Sequence, residues 1–308
     1  MKSSSPWAWI PTLYFAQGLP YVAVMTISVI MYKRLDISNA ELAFYTGWLN
    51  LPWVIKPLWS PFIDLIKTKR WWITWMQLLI GSGLAGIAFT IPTEHFFQLT
   101  LAVFWLLAFG SATHDIAADG FYMLGLSSHE QALFVGIRST FYRIATIAGQ
   151  GLLIMLAGYL EKKTGNIPFS WSITFMVLAG LFLGLWAYHN FILPRPQSDK
   201  AACHVSSATL MHEFWATFVS FFRKKQAGIA ILFMLLYRLP EAQLAKMSIP
   251  FLIDPIGEGG MGLTTEQIGF VQGTVGIIGL TLGGILGGIA VSRHGLRHWL
   301  WPMVWAIS

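Results

Sequence analysis

The chain has 308 residues, of which 55% are hydrophobic and 11% are charged, against roughly a quarter charged in typical soluble domains. This composition, with a mean hydropathy of +0.60, excludes a soluble globular protein and predicts a polytopic helical membrane protein. The net charge of +6 does not indicate nucleic-acid binding, because most basic residues fall in loops on one side of the predicted spans. The single cysteine excludes an intrachain disulfide.

Stretches with few or no charged residues predict eight membrane-spanning helices. Each stretch is near or above the roughly 20 residues that a helix needs to cross a bilayer. In chain order, they are 7–31, 41–62, 72–92, 96–122, 132–159, 170–193, 227–253 and 266–291.

The lysine and arginine residues indicate the orientation of these spans. With the N-terminus inside, the inner segments carry eleven basic residues, whereas the outer loops carry only Lys33, Arg34, Lys162 and Lys163. Because positive residues concentrate in cytoplasmic loops, we expect a multi-pass protein whose N-terminus is cytoplasmic.

A polar segment at 194–226 is the predicted boundary between two parts of the chain. Residues 1–193 form a six-helix N-terminal half, and residues 227–308 hold two spans and the start of a third. This is the layout of a transporter built from two parallel repeats. The repeat is visible in the residues, since Glu41–Gly47 opens the second span and Gln267–Gly273 opens the eighth. A complete second half would give a length of roughly 419 residues or more, so we expect a chain truncated after about eight spans.

Two loops, after the second and the eighth span, carry similar charged residues. The later loop resembles the signature loop of the major facilitator superfamily in Gly288, Arg293, Gly295 and Arg297. Ser292 stands where that pattern has aspartate. The earlier loop lacks the glycines but keeps Asp64, Lys69 and Arg70. The resemblance implies that these loops brace the two halves on the cytoplasmic side. The alternative is that their positive charges only set the orientation of the spans in the membrane.

Three further stretches resemble the AmpG-type muropeptide permeases within that superfamily. They are Leu13–Pro20, Lys56–Asp64 and Ser111–Asp119. The chain is also similar, less closely, to the acetyl-CoA transporter family, which shares a helix with paired aspartates. The resemblance implies an all-α membrane bundle of the major facilitator superfamily type.

By the same resemblance, we expect a secondary active transporter of the bacterial inner membrane that imports anhydro-muropeptides, which are cell-wall fragments, by proton symport. The expected partners are a small-molecule substrate, protons and the lipid bilayer, without cofactor, metal or nucleic acid, and the expected state is a monomer. Two alternatives stay open, namely a transporter of another bulky anionic solute such as acetyl-CoA and a non-transporting regulatory fragment. We do not expect an enzyme, because no nucleophile-and-base pattern stands out.

Four charged side chains in the fourth and fifth spans form the candidate gate or proton relay. Asp115 and Asp119 are four residues apart and therefore share a helix face, and they cannot face lipid. The two spans form a predicted hairpin that turns near 127–129, which matches Asp119 with Arg138 and Asp115 with Arg143 in depth. Such pairs are either static contacts between helices or pairs that open and exchange a proton.

Polar residues near mid-membrane are the candidate lining of a substrate cavity. They are Tyr14, Gln17, Lys56, Tyr142, Tyr237, Arg238, Glu241, Gln243 and Lys246. Basic side chains suit the carboxylates or phosphates of a solute, and tyrosines suit a sugar. The alternatives are an interhelical hydrogen bond for Gln17 and an ion pair within one helix for Arg238 and Glu241. His114 does not indicate a metal site, because it points about 100° away from Asp115 on a helix.

Overall fold

The computed structural model describes residues 5–200, 215–216, 219, 223–224, 226–276, 278–279, 282–283 and 296–307. Within these ranges the chain is helical and contains no β-strand, which confirms the predicted all-α class. Several predicted site residues lie outside the described residues, either entirely or in their side chains. They are Asp64, Tyr237, Arg238, Glu241, Gly288, Arg293, Gly295 and Arg297.

The helices follow one another with short connections as far as residue 192. They are α1 (Pro6–Arg34), α2 (Asn39–Trp48), α3 (Leu51–Ile55), α4 (Ser60–Ile66), α5 (Lys69–Thr90), α6 (Phe96–Gly125), α7 (Ser128–Ala148), α8 (Ile154–Thr164) and α9 (Ile167–Ile192). After the linker come α10 (Ala227–Ile253), α11 (Thr265–Phe270) and α12 (Leu296–Ile307). A π-helical segment at Gly149–Leu153 joins α7 to α8, and further π-helical segments lie at Ala23–Ile27 within α1 and at Val271–Val275 after α11.

Five helical segments of the described chain are long and apolar enough to cross a membrane. They are Pro6–Arg34, Lys69–Thr90, Phe96–Gly125, Leu133–Thr164 and Ile167–Ile192, and they coincide with the predicted spans one, three, four, five and six. The seventh prediction corresponds to α10, and the eighth begins at α11 and continues into residues that are not described. The division into halves at 194–226 stays a prediction, since most of that segment is also not described.

The predicted second span is not one continuous helix. It is divided among α2, α3 and α4, with a 3₁₀ turn at Lys56–Leu58. Pro52, Pro57 and Pro61 lie in the first turns of these segments, and their closely spaced rings, which lack an N–H, disfavour one continuous helix. The break places Lys56 beside α6, and the Trp59 indole holds the following segment there by donating to Thr113 Oγ1 (3.2 Å).

A capping box sets the turn between α6 and α7. The Ser127 hydroxyl accepts a hydrogen bond from the Glu130 backbone N–H, and the Glu130 carboxylate accepts one from the Ser127 backbone N–H (2.9 Å). This reciprocal pair satisfies donors that the first turn of a helix leaves free. The hairpin therefore turns where the sequence predicted it, and α6 and α7 each pack against α1.

Glycines allow close approach between helices that position the site. A Cβ atom on Gly18 of α1 would lie 2.8 Å from the Tyr142 carbonyl oxygen of α7. Farther along, Gly151 meets Gly273, and a Cβ atom on Gly158 of α8 would lie 2.3 Å from the backbone nitrogen of Glu266 in α11. Small residues at such crossings are typical of membrane helix contacts. They join the N-terminal helices directly to a helix that follows the linker.

Candidate functional site

Asp119 of α6 has partners from two other helices. Its Oδ1 accepts a hydrogen bond from the Tyr14 hydroxyl of α1 (3.0 Å) and lies 3.3 Å from Nη1 of Arg138 in α7. The same Nη1 donates to the Tyr14 oxygen (3.1 Å), and the guanidinium lies over the Tyr122 ring at 4.9 Å from its centroid. The structure thus brings Asp119 and Arg138 together, with Tyr14 as a third member.

Asp115, one turn earlier on α6, is bound much more loosely. Its side chain is only 12% exposed, and the nearest cation among the described residues is Lys56, whose Nζ is 3.8 Å from Oδ2, beyond the usual hydrogen-bond distance. The other oxygen, Oδ1, is buried without a hydrogen-bond partner. Gln17 of α1 and Trp53 of α3 also face this carboxylate. Asp115 is therefore a buried acid whose hydrogen bonds are incompletely satisfied.

The expected pairing of Asp115 with Arg143 is not formed within the described chain. Arg143 is exposed, and Lys56 takes its place beside Asp115. Helix rotation is the reason: Asp115 and Asp119 are about 40° apart around α6, whereas Arg138 and Arg143 are about 140° apart around α7. Because α7 packs mainly against α1, two arginines so far apart around it cannot both point toward the acids of α6.

The other predicted cavity residues divide into two groups. Tyr142 lies near Asp115, so it joins Tyr14, Gln17 and Lys56 in the same region. Lys246 of α10 instead donates to the Thr46 backbone oxygen of α2 (3.3 Å), which makes it a contact between helices. Gln243 is exposed.

A cavity of about 570 Å³ opens beside the charged pairs. Its polar lining comprises Lys56, Ser60, Lys67, Lys69, Asp119, Ser198, Asp199 and Lys200. Four lysines against two aspartates give the cavity a positive balance, which favours anionic solutes. Lys56 lines this cavity and also pairs with Asp115. Its side chain therefore lies between the cavity and the buried acid.

Lys69 and Arg70 of the earlier signature loop contact the end of the sixth span. The Asp199 carboxylate accepts hydrogen bonds from the backbone N–H groups of Lys69 (2.7 Å) and Arg70 (3.0 Å), so it caps the start of α5. The Arg70 guanidinium donates to the backbone oxygens of Asn190 and Leu193 at the end of α9. Within the described chain, these two residues thus join α5 to α9 and the linker. The Asp199 cap was not predicted, because no periodic pattern marks that residue.

The sequence also did not predict a series of hydrogen bonds that links buried polar side chains. Gln77 of α5 bonds to His114 Nε2 through its nitrogen (3.0 Å) and to His189 Nδ1 through its oxygen (2.9 Å). His189 Nε2 continues to the Thr12 hydroxyl of α1 (3.0 Å). Both histidines are buried, and they lie in α6 and α9. Polar residues in four different predicted spans were the available signal, since such residues face the bundle interior.

Charged residues at the predicted outer ends of the helices form a second cluster, here called the outer clasp, with Lys33, Arg34, Glu161 and Asp254 as its members. Lys33 and Asp254 form an ion pair, and Asn39 both accepts from Lys33 (2.7 Å) and donates to Asp254 (2.9 Å). The Lys33 hydrogen bond, followed by that of Asn39, lowers the pKa of Asp254.

Glu161 is the other centre of the outer clasp. Its carboxylate accepts from Arg34 (2.9 Å), from the Trp171 indole (2.8 Å) and from the Thr265 hydroxyl at the start of α11 (2.8 Å). Together the two centres connect α1, α8 and α9 with α10 and α11. The side that the charge distribution predicts to be outside is therefore closed by contacts across the linker.

Comparisons with known proteins agree with this architecture. The model of the BT1 family matches residues 15–300. The anhydromuropeptide permease of Escherichia coli (strain K12) is 26% identical over 290 residues, covering 92% of this chain and 55% of that protein. AmpG 4 of Rickettsia conorii is 25% identical over 292 residues, covering 92% of this chain and 67% of that protein. The crystal structure of the nucleoside transporter NupG matches with a TM-score of 0.62 at 17% identity, covering 94% of this chain and 68% of that chain.

The helical bundle, its membrane-embedded charge pairs and the match to NupG define a membrane protein with the major facilitator superfamily fold. Within that class, the chain belongs to the BT1 family. The similarity to AmpG-type permeases is confirmed over most of the chain, and relatives named as permeases point to a non-enzyme. The chain spans between about half and two thirds of the length of these relatives.

Proposed function

We propose that the chain acts as a secondary active transporter that imports anhydro-muropeptides across the bacterial inner membrane together with protons. The observation that carries this proposal is the pair of carboxylates on α6, which meet cations from α3–α4 and α7 inside the bundle. Ionisable groups within a membrane bundle are costly and mark substrate or proton pathways. The similarity to a protein named anhydromuropeptide permease supports the choice of substrate.

The chemistry of the cavity suits such a solute. Peptide carboxylates find cations at Lys56, Lys67 and Lys69, and charge-assisted hydrogen bonds are the stronger kind. Tyr14 and Tyr142 lie beside the charged pairs and provide ring faces and hydroxyls for a sugar. Transport would follow from rocking of two helical halves about this site, with the outer clasp closed while the solute occupies the cavity.

Uptake into proteoliposomes tests the proposal. The purified chain is reconstituted, an inward proton gradient is imposed, and uptake of radiolabelled anhydro-muropeptide is followed. We expect accumulation that collapses when a protonophore removes the gradient. Empty liposomes and Asp119→Asn proteoliposomes serve as controls, because that variant leaves the Arg138 charge without its partner.

A second candidate solute is another bulky anion such as acetyl-CoA, which the four lysines of the cavity favour. The same proteoliposomes distinguish the two when each labelled compound is offered separately. Uptake of acetyl-CoA alone would replace the muropeptide proposal. Binding of either compound without uptake would support a non-transporting regulatory role.

A further inference from the structure

We propose that Asp115, and not Asp119, is the carboxylate that binds and releases the transported proton, and that Lys56 is shared between Asp115 and an anionic group of the solute. This inference rests on the proposed function, because it assigns a role to each acid in a proton-coupled transporter. It starts from the unequal surroundings of two carboxylates that lie one helical turn apart.

Asp119 has fixed partners on two other helices. It accepts a hydrogen bond from Tyr14 and lies next to Arg138, and an arginine does not lose its proton in proteins. Arg138 is in turn held by the rings of Tyr14 and Tyr122. With these contacts Asp119 holds α6 against α1 and α7.

Asp115 lacks such partners. One of its oxygens is buried without a hydrogen bond, and the other is 3.8 Å from Lys56. A buried carboxylate oxygen without a donor is costly, and a proton on that oxygen removes the cost. The charged and titratable groups that face Asp115 are Lys56, Asp119 and Tyr142, with neutral Gln17 and Trp53 beside them.

The neighbours of Asp115 provide a place for that proton. Gln17 Oε1 is a buried acceptor without a donor, so the hydroxyl of a protonated Asp115 would have an acceptor on the facing helix. The Trp53 Nε1–H is a buried donor without an acceptor, available to the other oxygen of the same carboxyl. The Gln17 oxygen thus gives a protonated Asp115 an acceptor that the anion cannot use, whereas the Trp53 N–H can donate to the carboxyl in either form.

Lys56 connects proton binding to solute binding. Its side chain is about one third exposed and lines the cavity, whereas Asp115 is buried behind it. A solute carboxylate in the cavity competes for the Lys56 ammonium. When the lysine turns to the solute, Asp115 loses the cation that the described part of the chain places beside it and takes a proton from water. When the solute leaves, the proton returns to water and Lys56 returns to Asp115, so one solute anion moves with one proton.

Two transport measurements separate the roles of the acids. Exchange of labelled for unlabelled solute at equal pH needs no net proton movement, whereas accumulation driven by a pH gradient does. For Asp115→Asn we expect exchange that continues and no longer depends on pH, with loss of gradient-driven accumulation. For Asp119→Asn we expect loss of both. Glu130→Gln, which removes an exposed charge but keeps the capping box, is the matched control and should behave as the wild type.

A third measurement needs no solute. Dicyclohexylcarbodiimide modifies protonated carboxyl groups in apolar sites, and mass spectrometry locates the modified residue. We expect modification of Asp115 that declines as the pH rises, and none of Asp119. Modification of Asp119 alone, or accumulation by Asp115→Asn at the wild-type level, would overturn the assignment. If the wild type fails to exchange the muropeptide while Asp115 is still modified, the proposed substrate fails and the proton site stands.

Discussion

Lys33 at the end of α1 and Asp254 just after α10 form an ion pair that joins the two sides of the linker at the predicted outer surface. Asn39 bonds to both partners, so the pair has a fixed geometry. The outer clasp and the glycine crossings of α8 with α11 close the same side of the molecule. The basic cavity lies instead beside the start of α5 and the segment after α9. One side of the molecule is therefore closed by contacts between helices, and the cavity lies away from it.

The contribution of Asp254 should depend on pH. Because Lys33 and Asn39 lower its pKa in the folded protein, its contribution to stability is complete above the ordinary pKa of an aspartate. It is lost as the pH falls through the lowered value. Asp254→Asn should therefore remove part of the acid sensitivity of the melting temperature. We expect a cost of about 1 kcal/mol at neutral pH, at the upper end of the range for exposed pairs, because the Lys33 and Asp254 side chains are only 15% and 17% exposed. Glu258→Gln, a nearby exposed acid, is the control; an unchanged acid profile in Asp254→Asn would contradict the prediction.

Glu161 should be more important for stability than its neighbours. Glu161→Ala leaves Arg34 and the Trp171 indole without their acceptor, and an unsatisfied buried donor costs about 1–3 kcal/mol. Chemical denaturation in detergent measures this loss. Lys162→Ala, one residue along and exposed, should be neutral. Equal effects of the two substitutions would show that Glu161 contributes no more to stability than Lys162.

The crossing of α8 and α11 should not tolerate a side chain. Gly158→Ala places a Cβ atom 2.3 Å from the Glu266 backbone nitrogen, so the helices must separate, at a cost of about 1–3 kcal/mol. We expect a lower melting temperature and greater reactivity of cysteines introduced on the outer side of a Cys203→Ser protein. Gly136→Ala on α7 meets nothing within 4 Å and should leave both measurements unchanged. A neutral Gly158→Ala would mean that this face is not closely packed.

Gln77 should hold the buried histidines in place. Gln77→Leu removes the partner of both His114 and His189, and each unsatisfied buried group costs about 1–3 kcal/mol. The unfolding free energy should therefore fall by more than the effect of Gln98→Leu, which changes an exposed glutamine on α6. A loss no greater than that of Gln98→Leu would indicate that the histidines find other partners.

The sequence alone determined the features that depend on composition and on neighbours along the chain. Uncharged stretches of sufficient length predicted the spans that become α1, α5, α6 and α9. The short polar turn at Ser127 placed Asp119 and Arg138 at equal depth because an antiparallel hairpin fixes that relation. In each case the physical cause is local, since the bilayer sets helix length and the capping residues set where a helix begins.

Only the tertiary structure decided which side chains meet. Asp115 faces Lys56 and not Arg143, because the rotation of α7 and the proline breaks before α4 together determine which cation reaches α6. The outer clasp and the Gln77 chain likewise join residues that are far apart in sequence. Depth in the membrane can be counted along a helix, but the direction in which a side chain points depends on packing against every neighbouring helix.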